Sequence, residues 1–218
     1  MTSQRDRARE ALLDAAEELF ARNGIDAVSN RRIVEHAGAA NHSAVAYHFG
    51  GRDGLLRALV ERHNEEMSRR RDELRAQLGA SPNIHELVTA RLRPLFELFD
   101  SLPKPSWRAQ FISQMSAVPS AVEVVKEVVA DANLPDDLRF INGAVDGIPE
   151  SVLRGRAYLL GSMVIGVCAD QEAKINEDAN KGSWEQVGRF LIDAAAGMLG
   201  APVTDPDGAV RYPNVPLI

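Results

Sequence analysis

The chain has 218 residues, 45% of them hydrophobic, enough apolar material for one sizeable core or for a small head and a larger body. That excludes fibrous and disordered classes. The formal net charge of −6 divides unevenly: Met1 to Arg52 carries seven arginines and seven acids, which leaves 18 basic and 24 acidic residues for the remainder. The head is therefore less acidic than the body, and only the head is a candidate for a polyanionic partner. No apolar run approaches the roughly 18 to 20 residues of a membrane span. The N-terminus MTSQRDRAREALLDAAEEL is too charged for a signal peptide, so a cytoplasmic protein without a membrane partner is expected. The single cysteine, Cys168, has no Cys or His at metal-ligand spacing and is expected to pack as a small apolar residue.

Taken in order, Leu12, Leu13, Ala16, Leu19 and Phe20 fall at helical spacing and predict a first helix from about Gln4 to Arg22, closed by Gly24. Ile25 and Val28 are expected to pack beneath it. Ser29 then reads as an N-cap, and the helix it opens buries Ile33, Val34 and Ala37. Gly38-Ala39-Ala40 forms a turn, in which Gly38 takes the positive φ and the alanines permit close helix approach. Asn41 is expected to cap the third helix. Val45 and Phe49, one turn apart, face the core and place Asn41, His42, Ser43, Ala44 and Tyr47 on or near the outward side. Two short helices across a small-residue turn are a helix-turn-helix. Arg5, Arg7 and Arg9 lie at the start of the first helix, and Arg31 and Arg32 in the first turn of the second. Cations oppose the macrodipole there, so they are expected where phosphates offset them.

The order of these residues closely resembles the TetR family of bacterial transcriptional regulators. The resemblance rests on Leu19 and Phe20 before Gly24; on Ser29, Arg31 and Ile33 opening the second helix; on Ala37 and Gly38 in the turn; and on Tyr47, His48 and Phe49, followed by Arg52. It covers the first quarter of the chain. Aligned on His48 and Phe49, the turn has one residue more than the commonest form, so Asn41 stands where a capping serine is usual. Ala46 stands where a tyrosine is frequent, with Tyr47 one position later. The resemblance implies an all-α protein: a three-helix helix-turn-helix head (1–52), joined by a long helix (53–78) to a helical ligand-binding and dimerisation bundle (53–200), with an extended tail (201–218). It implies DNA contacts from Arg5, Ser29, Asn30, Arg31, Asn41, His42, Ser43, Ala44, Tyr47, His48 and Arg52. Of these Asn41, His42 and Ser43 are the base-edge candidates, and Tyr47, Arg31, Arg52 and the arm arginines the phosphate candidates.

Beyond the head, a long helix from about Asp53 to Leu78 is apolar at Leu55, Leu56, Leu59, Val60, Met67, Leu74 and Leu78, with Glu65–Arg69 and Glu66–Arg70 as i,i+4 pairs. Gly79 to Asn83 breaks it. A helix over Ile84 to Ser101 contains Pro94, which predicts a kink or a break near Arg91 to Pro94. Pro103 and Pro105 bracket a turn, and Ser106 is expected to cap a helix with Trp107, Phe111 and Met115 at i,i+4 spacing. Further helices are expected over Ala121 to Ala132 and Pro135 to Asn142, with Gly143 to Pro149 a loop. Phe96, Phe99, Trp107, Phe111 and Met115, with Arg108 and Gln114 nearby, read either as a core stripe or as the lining of a ligand cavity. The resemblance favours a cavity for a small molecule whose identity the sequence leaves open.

The last two helices, about Glu150 to Ala173 and Ser183 to Leu199, are rich in small residues, among them Gly155, Gly161, Gly166, Ala194 and Gly197. Such faces suit an ordinary core or a four-helix interface between two subunits. The resemblance implies the homodimer. The tail has four prolines and no helical period.

Enzyme readings find no support. Ile33, Ala39, Val45, Val60 and Pro82 stand three residues before His36, His42, His48, His63 and His85, so no Glu-x-x-His metal motif exists. No phosphate-cradling glycine loop, Gly-x-Ser-x-Gly elbow or zinc His-Glu-x-x-His occurs, and no cofactor or metal is expected. A helical interaction protein that keeps the head without binding DNA is the alternative from another class. The expectation is thus a repressor released from a palindromic DNA operator by a small, largely apolar effector near Phe99, Trp107 and Phe111, through movement of the long helix.

Overall fold

A computed structural model describes residues 4–130, 141, 143–145, 147–178 and 180–205. Among them nine helices are bounded and no strand occurs: α1 (Gln4–Asn23), α2 (Asn30–His36), α3 (Ala44–Phe49), α4 (Arg52–Ala76), α5 (Ile84–Ser101), α6 (Arg108–Ala117), α7 (Pro119–Ala130), α8 (Glu150–Glu177) and α9 (Trp184–Gly200). The short helix expected over Pro135 to Asn142 and most of the tail fall outside the described residues.

Local chemistry sets the ends. The Ser29 hydroxyl accepts from the Arg32 N–H at 3.2 Å, capping α2. At the other end the Gly38 N–H reaches Glu35 O and the Ala39 N–H reaches Val34 O, both at 3.1 Å, with Gly38 at φ +67°. That is the paired bonding of a Schellman motif, and it fixes the turn that the sequence places there. Asn41 behaves differently from expectation. Its side chain accepts from the Ser43 N–H at 2.9 Å, forming an Asx turn, and α3 begins later, with Ser43 at the cap position. At α5, Asn83 and Glu86 exchange side-chain and backbone bonds in a capping box. Helix α5 runs through Pro94, so of the kink or break expected there no break occurs. Along α4, Arg69 and Arg70 both reach forward to Glu73, and Arg70 also grips Glu97 of α5; this pairing differs from the Glu65–Arg69 one expected.

Two apolar cores follow, and α4 and α6 belong to both. The head core contains Leu12, Phe20, Ile33, Val45, Leu55 and Leu59, but it is completed from the body by Phe111, Met115, Ala121 and Val128. The Phe20 and Phe111 rings stack with centroids 6.1 Å apart. The second core gathers Met67, Leu95, Phe96, Phe99, Ala109, Leu160, Val164, Cys168, Trp184 and Leu191. Helix α8 is long and apolar enough to cross a membrane, with a mean hydropathy of 1.3 over its richest 18-residue window, contrary to the expectation that no stretch qualifies. Only part of its apolar content lies in the second core, where it also buries Gln171 and Glu172.

Polar groups tie the two cores together. Ser106 does not cap α6. It is held by Asn176, whose side chain both accepts from its N–H and donates to its carbonyl. The N-terminus of α6 is instead met by Glu172 of α8, which accepts from the Ala109 N–H at 3.2 Å and the Gln110 N–H at 2.9 Å. Burial pushes this carboxyl up, against those bonds, and burial likewise pushes the neighbouring Cys168 thiol up to about 12, consistent with an inert apolar role. At the far side of α6, Arg108 Nε donates to Glu17 Oε2 of α1 at 2.6 Å, and Arg62 Nη2 of α4 donates to the same oxygen at 2.7 Å.

His63, next along α4, is 6% exposed, and neither ring nitrogen has a partner among the described residues. Burial, with the guanidinium groups of Arg108, Arg71 and Arg62, holds its pKa well below 6.5. The unfolded chain therefore binds a proton below about pH 6.5 that the folded chain refuses, so stability is complete above that pH and falls on acidification. The slope from this one group is at most about 1.4 kcal/mol per pH unit. Urea unfolding of wild type and His63→Leu at pH 5 and pH 7 checks this: the variant should lose less stability between the two. Equal losses would show that His63 is not a buried neutral imidazole.

Candidate nucleic-acid interface and body pocket

On the outer side of the helix-turn-helix, Asn41, His42, Ser43 and Tyr47 are exposed, Tyr47 to 67%. These are polar, groove-sized side chains at the start and on one face of α3. Ala44 departs from expectation. It is 7% exposed and packs into the head core beside Val45, so the turn preceding α3 rotates it inward. The start of α1 lies against the end of α3: the Arg5 guanidinium sits 5.7 Å from the Tyr47 ring centroid, and Arg9 sits 5.3 Å from that of Phe49. His48 is half-buried, edge-on to Tyr47 with centroids 4.9 Å apart. Exposed Ser29 and half-buried Asn30 open α2. Arg31 is exposed and paired with Glu35 at 2.8 Å, which raises the arginine's pKa and lowers that of the glutamate.

Arg52 has a different task from the phosphate contact expected of it. Its Nη1 donates to Val28 O at 2.7 Å, its Nη2 donates to Ile25 O, and the guanidinium stacks 5.0 Å from the Phe20 ring centroid. It fastens the loop after α1 to the start of α4. Close by, Gly54 was not singled out in the sequence, yet an added Cβ would stand 1.8 Å from Phe49 O. Only glycine permits this approach of α4 to the end of α3, so the junction sets the angle at which α3 is presented.

The seven residues expected to line a ligand cavity do not converge. Phe96 and Phe99 are in the second core, where Phe99 meets Trp184 at 5.0 Å. Phe111 and Met115 face the head, half-buried Trp107 packs there under Arg22, Arg108 is taken by Glu17, and Gln114 lies beside Gly24. The i,i+4 stripe of α6 is the surface on which the head rests. A pocket does exist elsewhere in the body, between Val88, Arg91 and Leu92 of α5, Leu160, Gly161 and Val164 of α8, Ala195 and Leu199 of α9, and Ile141, which precedes α8. Gly161 thus borders a pocket. Among the described residues no group of three metal-ligating side chains comes together.

Residues 12–59 match the model of the bacterial regulatory proteins of the tetR family. The match covers the helix-turn-helix head and the start of α4. No curated protein matches it significantly. Among solved structures, a protein described as a tetR family transcription regulator from Shewanella sp. PV-4 shares 14% identity over 86% of this chain and 97% of its own, with a TM-score of 0.55. A protein described as a transcriptional regulator from Streptomyces coelicolor A3(2) shares 20% identity over 89% and 99%, with a TM-score of 0.47. RolR in complex with resorcinol shares 16% over 94% and 98%, with a TM-score of 0.46. The first of these extends the likeness of fold to 86% of this chain. Residues 12–59 are thus similar to the head of tetR family regulators, and beyond them the likeness is one of fold.

The corrected role of Arg52 in the TetR-type head has a measurable consequence. Arg52→Ala should lower unfolding free energy by about 2 kcal/mol, the usual scale for bonds to a charged group. The salt slope of DNA binding, measured where the variant is still folded, should be unchanged. A slope flattened by about one unit at unchanged stability would return Arg52 to the phosphate contacts.

Proposed function

We propose that the chain is a ligand-responsive repressor that binds a palindromic operator as a homodimer. The observation that carries the DNA part is the outward set Asn41, His42, Ser43 and Tyr47, flanked by Arg5 and held on a helix whose angle Gly54 and Arg52 fix. Base edges fall to Asn41, His42 and Ser43, which project from the leading end of α3, while Tyr47, Arg5 and Arg31 lie where a phosphate backbone would pass. The polar character of this face distinguishes it from a protein-binding surface, which would favour a buried apolar centre.

Dimerisation is supported by the outer faces of α8 and α9. Leu159, Val167 and Phe190 are exposed to 47%, 37% and 70%, and Gly166 and Gly197 leave open space beside them. Large apolar side chains around small ones are the pattern of helices that pack closely against a partner. Two recognition helices then fit successive major grooves if they stand about 34 to 36 Å apart.

Response to a ligand follows from the linkage between cores. A molecule in the α5–α8–α9 pocket acts on α8. Glu172 on α8 holds the start of α6, and α6 holds α1 through Arg108 and Glu17. Tenfold weaker operator binding requires only about 1.4 kcal/mol of difference in ligand affinity between the two head arrangements. The effector acts through α6 as well as α4, a wider route than movement of the long helix alone. A chain with these roles works in the cytoplasm.

Selection of sites from random duplexes with the full chain tests the reading. It should enrich two inverted half-sites with centres about one helical turn apart, bound with a steep salt dependence. Phe190→Glu should sediment as a monomer and lose roughly a hundredfold or more in operator affinity, since the two half-sites are then bound separately. No enrichment, or a variant that stays dimeric, would contradict it.

A further inference from the structure

Helix α9 ends in a turn that its own sequence does little to hold. Gly197 and Gly200 both fall in the last four residues, Gly197-Met198-Leu199-Gly200, and no basic residue stands among them. Glycine weakens a helix, and the last four carbonyls of any helix lack an intrahelical partner. Ala201, at the cap position, is in extended backbone, so no left-handed capping turn closes the helix either. An end of this kind frays unless something outside the helix meets its oxygens.

The partner comes from α8. Arg156 Nη1 donates to the carbonyl oxygens of Leu199 at 2.9 Å and Ala201 at 2.7 Å, and its Nη2 donates to that of Pro202 at 3.2 Å. One planar guanidinium thus satisfies three carbonyls and sets a positive charge at the negative end of the helix. The tie lies beside the outer face of the pair. Leu159, Met163 and Val167 follow Arg156 along one side of α8 at three- and four-residue spacing. On α9, Gly197 stands seven residues after the exposed Phe190, two turns further along the same side. Buried Leu199, in that same turn, faces the second core.

We propose that Arg156 is a positioning residue for the homodimer: by holding the last turn of α9 against α8, it fixes the paired outer face that a second copy meets. This rests on the reading that α8 and α9 dimerise, and it adds a residue outside the apolar contacts which that reading uses. Leu159 and Phe190 stand on different helices, so the shape offered to a partner depends on how the two helices are held at both ends. At one end the short connection 178–183 joins them, and at the other Arg156 ties α9 to α8. Without that tie the last turn of α9 becomes ordered only on assembly, and the ordering entropy is then lost from the affinity.

Sedimentation of the full chain over a range of concentrations tests the proposal. Arg156→Met keeps a long side chain and removes its donors; the dimer dissociation constant should rise at least about tenfold, the scale of one hydrogen bond to a charged group. Arg156→Lys, which keeps the charge without the fork, should fall between. Adding Gly200→Ala to Arg156→Met strengthens the last turn by another route, since a Cβ there meets Ile84 Cγ2 at an ordinary 3.9 Å, and should recover part of the loss. Should Arg156→Met fail to fold, Arg156→Lys carries the same comparison. Lower resistance to urea with an unchanged dimer constant would show a merely structural role and overturn the proposal, as would no recovery with Gly200→Ala. In the monomeric Phe190→Glu background, binding to a single operator half-site should be the same with and without Arg156→Met; a loss there would place the effect in the head and overturn it too. If Phe190→Glu itself leaves the dimer intact, the dimer reading and this one fall together. If Phe190→Glu breaks the dimer and Arg156→Met does not weaken it, the dimer reading stands and only the role of Arg156 falls.

Discussion

The Glu17 carboxylate accepts from Arg62 of α4 and Arg108 of α6 at 2.7 and 2.6 Å, and so pins three helices at one buried point. Glu17 and Arg108 are 8% and 3% exposed. Arg62 extends the network outward to Asp14 at 2.7 Å; burial tends to lower its pKa, but Glu17 and Asp14 outweigh that and raise it. Such a network gives modest net stability, because desolvating the ions offsets their attraction. Its asymmetry matters more. Removal of one partner strands a buried charge at a cost of about 3 to 5 kcal/mol, which disfavours any arrangement in which α1 separates from α4 and α6. The attitude of the head is thereby tied to that of the body.

The rest of the molecule is consistent with that tie. Phe111 and Met115 fill the head core from the same helix that carries Arg108, so apolar and ionic contacts reinforce one placement. Helix α4 runs from the head core at Leu55 and Leu59 to the body core at Met67, near which Arg70 grips Glu97 of α5. Arg57 reaches Glu127 of α7. Glu172 joins α8 to the α6 N-terminus, and Arg108 joins α6 to Glu17 of α1. Close-packed contacts of this kind favour discrete alternative arrangements over gradual bending.

The head was legible in the sequence because its determinants are local. Ser29 and Gly38 lie within ten residues of each other, and each reports on its own backbone. Only details needing three-dimensional context were missed there: the delayed start of α3, the inward turn of Ala44, the inward use of Arg52 and the glycine required at position 54. The body was less legible for a different reason. The spacing of Trp107, Phe111 and Met115 shows that α6 has an apolar face but not which core receives it. The partner of Arg108 lies 91 positions away in the chain, and nothing local to either residue announces the pairing. The pocket was missed because its lining is assembled from α5, α8 and α9 and from no single stripe.

Native-state amide hydrogen exchange on Glu172→Ala, a substitution in α8 with no hydrogen bond to the head among the described residues, tests the tie between head and body most directly. Loss of the carboxylate frees the Ala109 and Gln110 N–H groups and loosens α6. If α6 carries the coupling, protection should fall in α6 and, by a comparable factor, in α1 around Glu17. Loss confined to α6 and α8, with α1 protected as in the wild type, would contradict it.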